Sequence, residues 1–389
     1  MTNSINDLLA RHTLIFTIVV IIFSLFITFF SEPYGNGLIS TSFVKTLGKT
    51  VCLCIIALAM DVVWGYCGIL SLGHFAFFGL GGYMIGMWLM YERTAIIVQE
   101  AATNELLPLT ETELSNAIGN QIFGVVGGYD IPSIWMFADS LGLQLILVIA
   151  VPGVLAFIFG WLAFRSRVTG VYLSILTQAL TLALSLYLFQ NDSGLRGNNG
   201  LSGLQNIPGI EYLGQEVISI GFFWASCIFL ISIFLLFHSL MKSKFGLIIT
   251  SIRDNETRVR FLGYNVEIYK LFIFVLTAII SSIAGALYYP QAGIINPAEL
   301  APIASIYLAV WVAIGGRGKL YGAIIGAAFV SLFSSWFTGG QAPDIPLGIF
   351  TIEWVNWWTV LLGFGFVIIT IFSENGIIGF LRNIFVKEK

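Results

Sequence analysis

Charged side chains are what this 389-residue sequence has least of. Only 10% of its residues are Asp, Glu, Lys or Arg, whereas 57% are hydrophobic and the mean hydropathy is +0.91. A soluble domain carries about 25% charged residues, so the shortage excludes a soluble globular protein and indicates an integral membrane protein. The apolar runs are long and do not alternate over roughly ten residues as outer-membrane barrel strands do, which predicts an all-α polytopic fold.

Cysteine and histidine are also scarce. The chain has four cysteines, which lie in or beside apolar runs without metal-ligand spacing, so we interpret them as small packing residues. They are Cys52, Cys54, Cys67 and Cys227. The three histidines are too scattered to form a metal cluster, and a net charge of −3 gives no reason to expect a nucleic acid partner. We therefore predict neither a metal site nor nucleic acid binding.

Motifs for nucleotide chemistry are missing as well. "FVKTLGKT" at 43–50 ends like a P-loop, but Phe43 stands where the first glycine is needed and no apolar strand precedes it. "GLGGYMIG" lies inside a hydrophobic span and not in the βαβ unit of a dinucleotide site. We find no set of catalytic residues and predict a transport role rather than an enzyme.

Long apolar runs are abundant, and they predict about ten transmembrane helices. The predicted spans are 12–30, 43–60, 66–90, 141–163, 169–189, 219–238, 269–289, 303–315, 320–337 and 355–372. The first is too long for the apolar core of a cleaved signal peptide and is expected to be retained. The eighth is short and follows Pro297 and Pro302, so a half-helix after a re-entrant loop, with nine crossings in all, is the alternative.

The distribution of Lys and Arg predicts the orientation. With the N-terminus inside, fourteen of the 18 basic residues fall on the inner side, and both termini are then cytoplasmic. Lys45 and Lys49, at the start of the second span, break this pattern. The whole chain, 1–389, is predicted to be one transmembrane domain. Its outer segments are an acidic insert at 91–140, with a short amphipathic helix near 98–117, and a Gly- and Asn-rich loop at 190–218.

The longest inner segment is basic and lies at 242–268. Charged residues there alternate with Ile248, Ile249, Ile252, Val259 and Phe261, which predicts a surface helix with an apolar strip that ends at Gly263. One interpretation is a solvated inner loop, and the other is a coupling helix that docks into a cytoplasmic partner. The isoleucine strip favours docking. The candidate coupling residues are Gly246, Ile249, Ile252, Arg253, Asp254, Glu256, Arg258 and Gly263.

The fifth span has a polar face, since Ser174, Gln178, Thr181 and Ser185 follow helical spacing and Thr177 borders them. Such a face serves either hydrogen bonding between packed helices or the wall of a path for an uncharged polar solute. Two further segments, 68–90 and 290–316, are apolar but interrupted by glycine or proline. By analogy with secondary transporters, broken spans in both halves indicate a substrate path.

The candidate path residues are therefore Asp61, Ser71, His74, Ser174, Thr177, Gln178, Thr181, Asn296 and Glu299. Several of them have a competing structural interpretation. His74 is also explained as a packed histidine bonded to a backbone carbonyl, and the glycines of 68–90 are also explained by close helix packing. Asp61 needs either a partner or water, because an isolated carboxylate is costly at membrane depth.

Several of these segments share a resemblance. "SKFGLIITSIRDNETRVRFLGYNVEIYKLFIF" resembles the coupling segment of branched-chain amino acid-type ABC importer permeases, and "RDNETRVRFLGYNVEIYKLF" is most similar to the urea branch of that family. "MDVVWGYCGILSLGHFAFFGLGGYMIGM", "ILTQALTLAL", "GNNGLSGL", "YYPQAGIINPAELAP" and "GGRGKLYGAIIGA" also resemble the same branch. The similarity covers roughly residues 45 to 380, in order.

The resemblance implies a type II-like ABC importer permease in the bacterial inner membrane. It would pair with a second related permease, two cytoplasmic ATPases that use ATP and Mg²⁺, and a periplasmic binding protein, while binding no cofactor itself. The implied solute is urea, which is neutral and planar and fits a path without buried charge. The alternatives are branched-chain amino acids or short amides in the same machine, and a passive urea channel or proton-coupled transporter as a different class.

Two departures from the urea branch bear on the solute and on one segment. Tyr307 stands where that branch is expected to have an acidic residue, which puts the urea assignment in question. The acidic insert at 91–140 has no clear counterpart in the family, so no role is carried over to it.

Overall fold

A computed structural model describes residues 2–32, 37–104, 110–124, 131–339 and 354–372, with the short stretches 345–346, 351–352, 376–377 and 379. Within these residues the chain forms twelve α-helices, and the only strands are two residues long. The predicted all-α fold is therefore confirmed.

The helices in chain order are α1 Thr2–Phe30, α2 Thr41–Asp61, α3 His74–Asn104, α4 Glu111–Phe123, α5 Leu141–Arg165, α6 Val171–Phe189, α7 Gly214–Lys242, α8 Lys244–Phe261, α9 Val266–Ala292, α10 Pro302–Gly315, α11 Leu320–Thr338 and α12 Trp354–Phe372. The strands are β1 Leu201–Ser202, β2 Ile294–Ile295, β3 Ile345–Pro346 and β4 Thr351–Ile352. A π-helical turn, Val62–Tyr66, extends α2, and 3₁₀ turns cover Ser133–Trp135, Asn191–Ser193, Gly197–Asn199, Glu211–Leu213 and Pro297–Leu300.

Seven helices among the described residues are long and apolar enough to cross a membrane. They are α1, α2 with its π-helical turn, α5, α6, α7, α9 and α11. The predicted eighth span corresponds to α10, which begins at Pro302 and has only 14 residues, and the tenth lies in α12. The predicted third span is broken: residues 67–73 are irregular and α3 begins at His74.

The helix predicted near 98–117 in the outer insert is wrong in its position. Helix α3 continues to Asn104, and the separate helix α4 begins only at Glu111. A capping box at Thr110 sets this start. The Thr110 hydroxyl accepts from the Glu113 N–H, and the Glu113 carboxylate accepts from the Thr110 N–H. Gly124, with φ +68°, ends α4 in the left-handed conformation. Residues 105–109 and 125–130 of the insert lie outside the described part of the chain.

Helices α3 and α9 form the centre of the bundle, with α2 and α5 packed against them. The contact between α3 and α9 is close because Gly285 has no side chain. A Cβ atom there would lie 1.8 Å from the Phe78 carbonyl oxygen. The packing interpretation of Gly82 is also supported, since a Cβ atom there would lie 2.0 Å from Tyr289. All four cysteines are buried and free, as predicted.

Strands β1 and β2 join two distant parts of the chain. Leu201 pairs with Ile295 in an antiparallel register, so the 190–218 loop is held against the segment that precedes α10. The Ser185 hydroxyl, near the end of α6, donates to the Pro297 carbonyl at 2.9 Å in the same region. The second interrupted segment is thus fixed by both the loop and α6.

Candidate functional site

Asp61 lies at the end of α2 with none of its surface exposed. Its Oδ1 accepts a hydrogen bond of 2.7 Å from the Gly318 N–H, in the turn between α10 and α11. Oδ2 has no hydrogen-bond partner among the described residues, although Arg317 and Arg253 place positive charge near the carboxylate. In this conformation Asp61 caps the α10–α11 turn.

Arg253 of α8 reaches the same place from the other side. Its Nη1 donates a 2.8 Å hydrogen bond to the Gly65 carbonyl in the π-helical turn. Gly65 has room only for hydrogen, because a Cβ atom there would lie 2.3 Å from Asp61 Oδ1 and 2.4 Å from Gly318 N. We call these four residues, Asp61, Gly65, Arg253 and Gly318, the α2–α8 junction. It brings together a predicted path residue, Asp61, and a predicted coupling residue, Arg253.

The polar face of α6 packs against the break at 67–73. The Ser174 hydroxyl donates to the Leu70 carbonyl at 2.7 Å, and the Leu72 N–H donates to the Thr177 hydroxyl at 3.0 Å. The Thr181 hydroxyl donates to the Leu72 carbonyl at 3.4 Å. These bonds satisfy backbone groups that the break removes from helical pairing, which buried peptide groups require. Hydrogen bonding between packed segments therefore accounts for Ser174, Thr177 and Thr181.

Gln178 differs from its neighbours on this face. Its side chain is half-buried and makes no hydrogen bond among the described residues. Unlike Ser174, Thr177 and Thr181, Gln178 does not bond to the backbone of residues 67–73. Its assignment to the solute path stays a prediction.

His74 is fully buried at the start of α3 and packs edge-on against Phe77 and Phe274. Its Nε2 lies 3.3 Å from the Thr277 hydroxyl of α9. The histidine is therefore packed, as one interpretation held, but its partner is a threonine hydroxyl and not the backbone carbonyl expected, and Nδ1 has no hydrogen-bond partner among the described residues. Ser71 is likewise fully buried in the break, and its hydroxyl has no partner among the described residues.

Helix α8 forms as predicted, but its apolar strip is already covered by the chain itself. Ile249, Ile252 and Val259 are 0%, 3% and 4% exposed, because α8 packs against α7, α9 and the π-helical turn. Ile249 and Ile252 are therefore not open to a partner protein, and the prediction that their strip forms the docking surface is wrong. The apolar surface that α8 leaves open lies elsewhere, at Leu247 and at Phe261 with Leu262, which are 65%, 87% and 76% exposed.

The two ends of α8 depend on glycine. A Cβ atom at Gly246 would lie 2.1 Å from the Met241 carbonyl oxygen, where α7 turns into α8. Gly263, with φ +88°, follows the last turn in the left-handed region, which places the helix end as the sequence predicted. Within α8, Asn255 leaves the helical conformation and its Oδ1 accepts from the Arg258 N–H at 3.0 Å.

An ion-pair cluster holds the second half of α8 on α9. The Glu256 carboxylate pairs with Arg260 at 2.7 Å and with Lys270, which is itself buried. Burial opposes ionisation of Glu256, but the hydrogen bonds from Lys270 and Arg260 outweigh it and hold the pKa of that carboxyl below its ordinary value. Asp254 and Arg258 are exposed on the outer side of the helix.

A polar cavity of about 260 Å³ lies between α2, α9, α10 and α11. Helix α2 contributes Lys49 and two threonines, and α11 contributes Ser331, Ser334, Ser335 and Thr338. Glu299 lies near enough to Lys49 for the two charges to attract. Asn296 caps the 3₁₀ turn that carries Glu299, since its Oδ1 accepts from the Ala298 N–H at 3.0 Å.

The sequence predictions do not include this cavity, and Lys49 stands out in the sequence only as an exception to the charge rule. The signal that could have found the cavity is the spacing of the four α11 hydroxyls, i, i+3, i+4 and i+7, which places them on one helical face.

Comparison with known proteins gives a family match over most of the chain. Residues 42–371 match the family described as "Branched-chain amino acid transport system / permease component". The high-affinity branched-chain amino acid transport system permease proteins LivM of Salmonella typhimurium and Escherichia coli are each 22% identical to the chain. These matches cover 75% of this chain, with 63% of the Salmonella protein and 62% of the Escherichia coli protein.

A shorter match links the chain to a sugar transporter. The xylose transport system permease protein XylH of Haemophilus influenzae is 30% identical over 110 residues, which is 27% of this chain and 28% of that protein. No solved structure matches. The chain therefore spans somewhat less than two thirds of the length of the two LivM proteins.

Proposed function

Because the chain belongs to the family of branched-chain amino acid transport system permease components, which are transport subunits and not enzymes, we propose that it is one permease of an ATP-driven importer. It acts with a second related permease, two cytoplasmic ATPases that use ATP and Mg²⁺, and a periplasmic binding protein. It lies in the bacterial inner membrane with both termini cytoplasmic and binds no cofactor itself.

The observation that carries this proposal is the α2–α8 junction. A single hydrogen bond of 2.8 Å ties Arg253 of α8 to the π-helical turn of α2, and Asp61 ties that turn to the α10–α11 turn at 2.7 Å. A displacement of α8 by an ATPase is passed through these contacts to two membrane helices. A passive channel has no use for a cytoplasmic helix attached in this way.

The surface that meets the ATPase is the exposed apolar end of α8. Phe261 and Leu262 are 87% and 76% exposed there. Apolar side chains left open beside charged ones are typical of protein interaction sites. Ile249 and Ile252 are not part of this surface, since they are buried against the body of the chain.

We propose urea as the solute, on the resemblance of the motifs in α3, α8 and α10–α11 to the urea branch. Urea is neutral and needs only hydrogen-bond donors and acceptors, such as the half-buried Gln178 amide of α6 and the Ser334 and Ser335 hydroxyls of α11. Branched-chain amino acids are the second candidate. They are favoured by the names of the two LivM relatives and by the opposite charges of Lys49 and Glu299, which suit a zwitterion.

Uptake of radiolabelled urea by cells that express the whole assembly tests the solute assignment. Leucine and acetamide serve as unlabelled competitors. We expect urea to accumulate and leucine not to reduce that accumulation. Uptake of labelled leucine without uptake of urea would replace urea by the second candidate.

Co-purification tests the ATPase surface. Phe261→Ser with Leu262→Ser is expected to reduce recovery of the ATPases with the tagged chain, and ATP-dependent uptake is expected to fall in parallel. Tyr212→Ser is the matched control, because Tyr212 is 82% exposed outside α8. Full recovery of the ATPases with the double variant would show that they bind elsewhere.

A further inference from the structure

The polar cavity between α2, α9, α10 and α11 is separate from the α2–α8 junction. Lys49 precedes Asp61 by twelve residues on α2, which is about 18 Å along a helix axis. The four α11 residues lie towards the end of their helix, whereas Gly318 lies just before its start. The cavity thus lies in the other half of the bundle from α8.

The cavity is lined by a charged side chain, Lys49, which belongs to the apolar helix α2. Lys49 is half-buried in the most buried of the seven candidate membrane spans among the described residues. Ionisable side chains within membrane helices face a water-filled space or a partner of opposite charge. Lys49 has both, since it lines the cavity and is attracted to Glu299. The positive charge in the cavity lining is therefore compensated by a carboxylate that is not itself a lining residue.

Several hydrogen-bonding groups in the cavity are not used by the protein. The Trp311 indole N–H is buried and has no partner among the described residues. The hydroxyls of Ser334 and Ser335 make no hydrogen bond within the described chain, whereas Thr50 and Ser331 bond to each other at 3.0 Å. Unused donors and acceptors that line one cavity are what a polar ligand requires.

The size of the cavity restricts the ligand. Its volume of about 260 Å³ is below the range of roughly 300–1,000 Å³ that is usual for drug-sized ligands. A solute with net charge would leave either Lys49 or Glu299 without compensation. The chemistry that fits is a small molecule of zero net charge with a carbonyl or carboxylate oxygen beside N–H groups.

We propose that this cavity is the solute-binding site of the permease. The oxygen of the solute accepts hydrogen bonds from the Lys49 ammonium and the Trp311 indole, and its N–H groups donate to the α11 serine hydroxyls. This assignment rests on the proposed function. It holds for urea and for a zwitterionic amino acid alike, so the experiment must separate the two.

Transport kinetics of the complete importer in proteoliposomes test the site first. Lys49→Met and Ser334→Ala with Ser335→Ala are each expected to lower the maximal uptake rate about tenfold, the loss expected when a hydrogen bond to the solute is removed. The half-saturating concentration should not change, because the binding protein sets it. Ser232→Ala with Ser239→Ala is the matched control, since both hydroxyls bond only to their own helix and face outward.

Solute protection of an introduced cysteine tests the site without relying on transport. A small water-soluble thiol reagent should label Ser335→Cys in the assembled importer, because all four native cysteines are buried. Urea and leucine are each added separately at saturation, and one of them should slow the labelling at least about threefold. Protection by urea alone selects the neutral solute, and protection by leucine alone selects the zwitterion.

Three results would overturn the assignment of the site. They are unchanged uptake rates in both the Lys49 and the serine variants, failure of Ser335→Cys to label, and labelling that neither solute slows. If instead the wild-type assembly shows no ATP-dependent uptake while Ser335→Cys is still protected, the site stands and the importer proposal fails. The two proposals are thus tested separately.

Discussion

Replacement of Asp61 distinguishes a structural cap from a path residue most sharply. Asp61→Leu removes the acceptor for the Gly318 N–H, and an orphaned buried donor costs about 1–3 kcal/mol. Loss of the attraction to Arg253 and Arg317 adds to this cost. Asp61→Asn loses the same attraction but keeps an acceptor oxygen in the same place. Its bond to Gly318 therefore weakens only from a charge-assisted one to a neutral one, which costs about 1 kcal/mol.

Thermal unfolding of the purified chain in detergent and uptake by the assembled importer measure the outcome. We expect Asp61→Asn to retain uptake within a few-fold of wild type, and Asp61→Leu to lose both stability and uptake. Asp192→Asn, an exposed carboxylate in the 190–218 loop, controls for the loss of one negative charge. If Asp61→Asn abolished uptake while stability and assembly were intact, the charge of Asp61 would act on the solute and the cap account would be refuted.

Three further predictions concern stability and can be measured by the same unfolding assay. Gly285→Ala should destabilise by about 1–3 kcal/mol because its Cβ atom would meet a carbonyl of α3 at 1.8 Å, whereas Gly221→Ala, with open space around it, should not. The pKa of Glu256 is lowered in the folded chain. Its ionised form therefore adds to the free energy of unfolding above about pH 4.5, and this stabilisation is lost as pH falls through the folded pKa. Glu256→Gln should remove that acid-dependent loss of stability. Thr177→Val should cost about 1 kcal/mol, since the N–H of Leu72 loses its acceptor, and an unchanged midpoint would refute the role of α6 in holding the break.

Most of the helical organisation could be predicted from local sequence. Long apolar runs predict spans because the bilayer requires internally bonded backbone over about 20 residues. The break before His74 was predictable from glycine, and the start of α10 from Pro302. The amphipathic pattern at 98–117 places this helix too early, because α3 continues to Asn104 and the capping box at Thr110 starts α4 only at Glu111.

The roles of single polar residues were harder to predict. A serine or threonine on a helical face looks the same in sequence whether it holds a broken backbone segment, as Ser174 does, or lines a cavity, as Ser334 does. The difference depends on which distant segment packs against the face. The isoleucines of α8 show the same limit. Their helical spacing predicts that Ile249 is covered, but it does not predict that other helices of the same chain cover it.

The most direct test of the central claim is concentrative uptake by proteoliposomes that contain this chain and its partner permease, the ATPases and the binding protein. The account predicts that labelled urea, or leucine under the second assignment, accumulates above its external concentration when Mg-ATP is present and does not without it. Equilibration of solute across the membrane at the same rate with and without ATP would contradict the account and identify a passive channel.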